Sequence, residues 1–312
     1  MNNSAKRFRS FICTLVAFVM ALSVVLTVFG AALSASALNP SFAVLVEKRS
    51  SFGADLAAEL KEEFVSYGNA CNIDAVFFDG IFEKVVTPEK IDEDMQTVLL
   101  DFYNGSVQDT VDTAEMQAAV LEQLKSYATE KGFTLDETTV QNLTTISQEL
   151  CEMYNAYVSV FSMSAFQTAS QLLNRYRPLG LYAAAAGAVV FVIAAVLLRL
   201  FFHKKKNYLR FFIYAFSGAT LMQLLGPLVA LIIGVGNRIN ISSSALYDLA
   251  SGMINGVLLV LALSALLPAA ITVLLAVVYH REIQKDASFV FKNKSEKRNK
   301  RHIPVPGVSA LI

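Results

Sequence analysis

Histidine, the residue most often recruited for proton transfer near neutral pH, occurs three times, at His203, His280 and His302. Each lies at or beyond the end of an apolar segment, and none falls between residues 38 and 178, the longest polar stretch. That stretch therefore excludes a Ser/His/Asp or Cys/His nucleophilic apparatus of the usual form and a zinc site with histidine ligands. Carboxylates are abundant there instead. Asp92, Glu93 and Asp94 are consecutive, and Glu59, Glu62 and Glu63 surround Lys61. A glycosidase-type acid/base pair would need a cleft with aromatic sugar platforms, and the chain has no tryptophan. Residues 101–112 have the length of a calcium loop with Asp at both ends. They lack its alternating ligands, carry Gly105 one place early and end on Asp112 where a bidentate Glu is wanted. The expectation is a solvated acidic face with no metal, no cofactor and no catalytic residue. What remains is attraction of a cationic partner or of divalent ions to that face.

Other polar candidates are few. Cys71 and Cys151 could form one disulfide in an oxidising compartment, closing a long loop; two separate buried thiols are the expected outcome. Cys13 sits inside the first apolar run, and no CxxC spacing occurs. Within the later apolar segments, Gln223 is spaced to meet Asn255 or Ser264 as an interhelical hydrogen bond or as the lining of a small polar cavity. No Asp, Glu, Lys or His lies in the middle of any apolar segment, which argues against an ion-coupled pathway. Sequons at Asn104 and Asn142 matter only in a host that glycosylates exported proteins.

The elements that must position these residues follow from charge and hydropathy. The chain is 54% hydrophobic with zero formal net charge, more apolar than soluble domains usually are. Charge is segregated: residues 38–178 hold 22 Asp/Glu against 9 Lys/Arg, while the N-terminus, the turn after residue 199 and the tail are basic. Several membrane crossings under the positive-inside rule produce such a pattern. Residues 1–37 read as a basic leader and first transmembrane helix. Its apolar run is long enough to span ~30 Å of hydrocarbon, although Ala35-Ser36-Ala37 would also serve as the cleavage site of a signal peptide. Residues 38–178 read as one extracytoplasmic domain. Residues 179–279 hold three transmembrane helices at about 179–202, 208–235 and 252–279, and residues 280–312 form a basic tail expected to be disordered. Close packing in lipid is expected where small residues recur every fourth position, at Gly180, Ala184 and Ala188 and at Gly252 and Gly256. Lys204, Lys205, Lys206, Lys297, Arg298, Lys300 and Arg301 are expected at the inner leaflet. Gly226-Pro227 is expected to break the third span, and Pro268 to kink the fourth.

Helix punctuation repeats between residues 38 and 178. An extended apolar piece, 42–46, comes first. Ser51 then precedes Phe52, Leu56, Leu60 and Phe64, a period-four apolar series. Thr87-Pro88-Glu89 is a strong helix start, closed by Gly105. Further helices begin near Asp112 and near Thr134, the last running without Gly or Pro through Leu172 towards Pro178. The fold class is therefore an all-α integral membrane protein: an anchor, an extracytoplasmic bundle of four or five helices, and three further transmembrane helices. The expected setting is a bacterial plasma membrane with both termini cytoplasmic. The expected function is non-enzymatic. The outer bundle would bind a protein partner or ligand, as a sensor, scaffold or accessory subunit within an oligomer or complex, with no nucleic acid. The alternative is a subunit of a transporter or channel.

Overall fold

The structure, a computed structural model, describes residues 3–107, 110–202 and 205–300. Helix makes up 85% of it, and no strand occurs among the described residues. The helices are α1 (Asn3–Ala35), α2 (Pro40–Arg49), α3 (Phe52–Ala70), α4 (Ala75–Lys84), α5 (Pro88–Asn104) and α6 (Ala114–Glu130). They continue with α7 (Glu137–Val158), α8 (Ser164–Tyr176), α9 (Leu179–Phe201), α10 (Lys205–Ile233), α11 (Ser244–Ser264) and α12 (Leu266–Lys300). A 3₁₀ turn, Val235–Arg238, follows α10. Four stretches are long and apolar enough to cross a membrane: Phe11–Ala35, Ser164–Phe201, Asn207–Ile233 and Ser244–Lys285. Leu181, Ile232 and Leu274 stand out from them more than 60% exposed, a cost in water that lipid contact would remove.

The chain divides into two compact units, one of Phe29–Ala183 with Leu225–Ala262, the other of Met1–Val28, Ala184–Leu224 and the chain from Leu263. In the first, Phe52, Leu56, Leu60 and Phe64 of α3 are fully or almost fully buried against Phe78 and Ile81 of α4, Ile91 and Met95 of α5, Leu124 of α6 and Tyr154 of α7. Ala245 and Leu249 of α11 belong to the same core. Glu59 of α3 caps α11: its Oε1 accepts from the Ser244 backbone N–H at 2.7 Å, the Ser244 hydroxyl at 2.6 Å and the Ala245 N–H at 3.1 Å. A carboxylate at the positive end of a helix is favourable. Burial acts to raise the Glu59 pKa, but the bonds from Ser244, Ser243 and Ala245 outweigh it and hold the carboxyl below its ordinary value.

Local signals place most helix ends. Thr87 accepts from the Lys90 N–H with Pro88 in the first turn, and Gly105 closes α5 at φ 76°. Other expectations need correcting. The apolar piece after Asn39 is helix α2, because Asn39 accepts from the Ser41 N–H and Pro40 takes the first helical position. The helix from Thr134 starts instead at Glu137, capped by Asp136. It does not run on to Leu172: α7 stops at Val158 and α8 begins at Ser164. Here the Ser162 N–H bonds the Ser159 carbonyl, and the Phe161 ring sits 4.7 Å from Phe102 and 5.4 Å from Phe166. Tertiary aromatic packing thus overrides a segment whose valines and serines favour helix weakly.

In the second unit, Cys13, Met20 and Ala21 of α1 pack with Ala194 and Leu198 of α9 and Ala215 of α10. Val24 packs with Phe216 and Ala219, flanked by Ile271 and Leu275. Pro227 lies within α10 without ending it. The interruption falls instead between α11 and α12, where Pro268 has no N–H for the Ser264 carbonyl. Helix α12 continues to Lys300 rather than giving way to a disordered tail after residue 279; neither Gly nor Pro stands between Ala269 and Lys300.

A candidate acidic cleft on the helical body

One face of α5 presents Lys90, Glu93, Asp94, Thr97, Val98 and Asp101, spaced by three and four residues. The chain after Gly105 folds back so that Val111, Asp112, Glu115 and Met116 face this row, and Ser159 and Ser162 at the end of α7 complete the wall. The return segment is pinned by the Val111 N–H, which donates to Asn155 Oδ1 at 2.9 Å. The result is a cleft of about 420 Å³. Five carboxylates line it, those of Glu93, Asp94, Asp101, Asp112 and Glu115, against the single ammonium of Lys90.

Its floor is a buried network. Asp94 is 6% exposed, and both its oxygens are engaged. Lys90 Nζ donates to Oδ1 at 2.8 Å and the Tyr154 hydroxyl to Oδ2 at 2.6 Å. The hydrogen bond to Asp94 raises the Lys90 pKa, aided by the charges of Asp94, Glu93 and Glu115 over the opposing effect of burial. Burial, then the Asp94 bond and charge, push the Tyr154 hydroxyl well above its ordinary value. Lys90 is thus a fixed ammonium and Tyr154 a fixed donor. Ser159 is also buried, at 7% exposure, and its Oγ has no hydrogen-bond partner, although unpaired buried hydroxyls are costly. Among the described residues no three His, Cys, Asp or Glu side chains converge as metal ligands. The cleft can attract and hydrogen-bond positive groups at several points.

Sequence reasoning identified the acidic run at residues 92–94 and the Asp101-to-Asp112 interval, but not that they face one another. Ser159 carried no signal.

A second carboxyl pair lies away from the cleft. Glu47 of α2 has no exposed surface, and neither carboxyl oxygen has a donor within bonding geometry. Burial above all, then the neighbouring Asp92 carboxyl on α5, push its pKa up to about 7, against smaller lowering effects of Gln96 and Lys48. Asp92 and Gln96 are one helical turn apart, so one face of α5 meets α2 while another lines the cleft.

The remaining sequence candidates distribute as follows. The Cys71–Cys151 bridge is not formed. Both are free thiols, Cys71 half-buried at the end of α3 beside Tyr67, Cys151 buried in α7 and pushed up to about 11 by burial despite a bond from Thr113. Gln223 Nε2 donates to Ser264 Oγ. Asn255 does not join them; its Nδ2 donates to Asn237 Oδ1 at 3.2 Å, and its side chain lies against Gly236. Gly180 lies against Ser34, Leu38 and the Gly30 carbonyl. At the next small residues the contact is made by buried Gly187, against Ser23 and Thr27, and not by Ala188, which is exposed; Ala184 is half-buried. Gly252 and Gly256 take Val46 and Phe42 of α2 instead of another membrane-length helix. Lys205 and Lys206 open α10, Lys297, Arg298 and Lys300 fall in α12, and Lys204 and Arg301 lie outside the described residues.

No protein-family model matches this chain, and neither a curated protein nor a solved structure shows significant similarity to it.

Proposed function

We propose that this is a non-enzymatic multi-pass protein of a bacterial plasma membrane whose helical body binds a partner or ligand at the acidic cleft. In this reading both termini are cytoplasmic and residues 38–178 lie outside. The basic groups from Lys204 to Lys206 and from Lys297 to Arg301 rest on the inner leaflet. The protein serves as a sensor, scaffold or accessory subunit in an oligomer or complex, and nucleic acid is not its partner. The observation that carries the reading is the cleft itself, where α5 and the segment that returns into α6 bring five carboxylates around one ammonium, with Ser159 and Ser162 closing the wall. A solvated acidic face needs no such concavity, and like charges held together cost stability unless something gains from them.

A photo-crosslinking residue in place of Val107, on the cleft rim, tests this in intact cells against a control in place of Lys125, which does not line the cleft. A discrete adduct from position 107 that disappears when Asp112→Asn and Glu115→Gln are combined supports the reading. Equal adducts from both positions, or none from position 107, defeat it. Topology is tested separately at half-buried Cys71: an impermeant maleimide should label it without permeabilisation.

The second reading, a transporter or channel subunit, has one observation in its favour. Gln223 is 3% exposed and its Oε1 has no partner, which suits a polar point on a pathway. Liposome flux that falls on Gln223→Leu would favour it over the binding reading.

A further inference from the structure

Helix α2 is weakly anchored. Of its ten residues only Ala43 and Glu47 are buried, against seven in α3. One methyl group and one carboxyl thus make its buried contact with the body. They lie one helical turn apart on the same stripe; Ala43 enters the core, and Glu47 meets Asp92 and Gln96 of α5. On the neighbouring stripe, Phe42 and Val46 lie against Gly256 and Gly252 of α11. Helix α2 therefore sits between α5 and α11 with an ionisable group in its seat. We propose that α2 is a proton-gated wedge: with Glu47 protonated it stays seated between α5 and α11, and with Glu47 ionised its C-terminal half lifts from both. This goes beyond the binding reading and does not depend on what the cleft takes.

The seat suits a neutral acid and not a carboxylate. Glu47 has no exposed surface, and neither of its carboxyl oxygens has a hydrogen-bond partner among the described residues. Ionised there, it would have lost its water and gained no donor. The groups around it do not compensate. Asp92 on α5 adds like charge, and Gly53 of α3 lies against the Asp92 carboxylate. Helix α11 meets α2 through two glycines, which bring no charge; Asp248, one turn before them, is exposed. Lys48 and Arg49 of α2 are exposed too, and Lys48 opposes burial with only a small effect. Moving Glu47 into water, beside those two cations, relieves the ionised state. The other end of the segment is held, because the Tyr103 hydroxyl donates to the Ala37 carbonyl at 3.1 Å and Asn39 caps α2. After Arg49 the helix stops at Ser50, whose backbone is extended at φ −82° and ψ 163°. The end that carries Val46 and Glu47 is thus the one that lifts. Its departure takes Val46 off Gly252 and uncovers a small-residue stripe of α11 suited to close helix approach.

The test is double electron–electron resonance on the full-length protein in detergent, with spin labels on introduced cysteines in a Cys71→Ser background. One pair joins exposed Leu45 of α2 to exposed Ser126 of α6; the reference pair joins exposed Glu62 of α3 to Ser126. Burial and Asp92 keep the seated Glu47 half-protonated up to about 7 instead of 4.5. The seated-to-lifted ratio should therefore be constant below about 4.5, fall by up to about tenfold per pH unit until about 7, and level off above. Over that interval the Leu45 pair should gain a longer distance while the reference pair stays single. Glu47→Gln should hold the short distance at every pH, and Asp92→Asn should narrow the interval from its upper end. A Leu45 distance that ignores pH, or a response that survives Glu47→Gln, would overturn the proposal. So would a reference pair that lengthens in step, because the whole body would then be loosening. Should Glu47→Gln not fold, an undiminished response in Asp92→Asn overturns it equally.

Discussion

Replacing Glu47 by Gln should make the protein's stability insensitive to pH across the interval in which the wild type loses it. Glu47 is fully buried between α2 and α5, opposite Asp92. Its carboxyl is ordinarily half-protonated at 4.5, and burial followed by Asp92 moves that point to about 7. The folded state therefore holds this proton more tightly than the unfolded chain. Below about pH 4.5 both states carry it and its contribution is fully present. As pH rises the unfolded chain releases the proton first, unfolding becomes more favourable, and the contribution is gone once pH passes about 7. At about 1.4 kcal/mol per pH unit, the interval from 4.5 to about 7 bounds the loss at about 3 kcal/mol. With roughly 2–4 °C per kcal/mol for a body of this size, melting should fall by up to ~10 °C between about pH 5 and about pH 8. Gln matches Glu in volume, does not titrate, and its amide can donate to the Asp92 carboxylate. Asp92→Asn removes the second cause but leaves burial, so a shallower slope should survive. Far-UV circular dichroism of the full-length protein in detergent is the assay, since the chain has no tryptophan to report fluorescence. A wild-type melting temperature that is flat or rises over this range would refute the reasoning, as would an undiminished slope in Glu47→Gln.

Other substitutions report on different contacts. Tyr154→Phe leaves Asp94 Oδ2 buried without its donor, and should cost ~1–3 kcal/mol in denaturant melts. Gly53→Ala would drive a Cβ into the Pro88 carbonyl and the Asp92 carboxylate, lowering stability by ~1–3 kcal/mol. Gly187→Val places a Cβ 2.8 Å from the Ser23 carbonyl oxygen and 2.9 Å from the Thr27 nitrogen; α1 and α9 must separate, to be seen as loss of a disulfide engineered between them. Glu59→Gln removes the charge from the α11 cap. Because the folded-state pKa of Glu59 is lowered, its contribution is present above 4.5 and lost as pH falls below it, so the variant should melt below the wild type at neutral pH and the difference should close as pH falls below 4.5.

By itself the sequence determined the all-helical class, several helix starts and stops, the apolar segments and the acidic character of residues 38–178, but it read four or five helices there where the structure has seven, α2 to α8. These follow from information local in the chain: the spacing of Phe52, Leu56, Leu60 and Phe64, the Thr87-Pro88 start with its Gly105 stop, and the uninterrupted apolar runs. Periodicity tells which face of a helix is buried but not what it is buried against. Only the tertiary structure therefore decided that Gly252 and Gly256 meet α2, that Asn255 pairs with Asn237 and that Gly187 makes the close approach. It likewise decided the break before Ser164, where ring packing of Phe161 outweighs a continuous helical pattern. Asp101 and Asp112 fail as the two ends of one calcium loop. Folded, they face each other across a cleft with Glu93, Asp94 and Glu115. Charge composition can announce an acidic domain. Whether its carboxylates are scattered over a solvated face or gathered in one concavity depends on the bonds that pin the wall, Val111 to Asn155 and Tyr154 to Asp94, 44 and 60 positions apart, which no local pattern encodes.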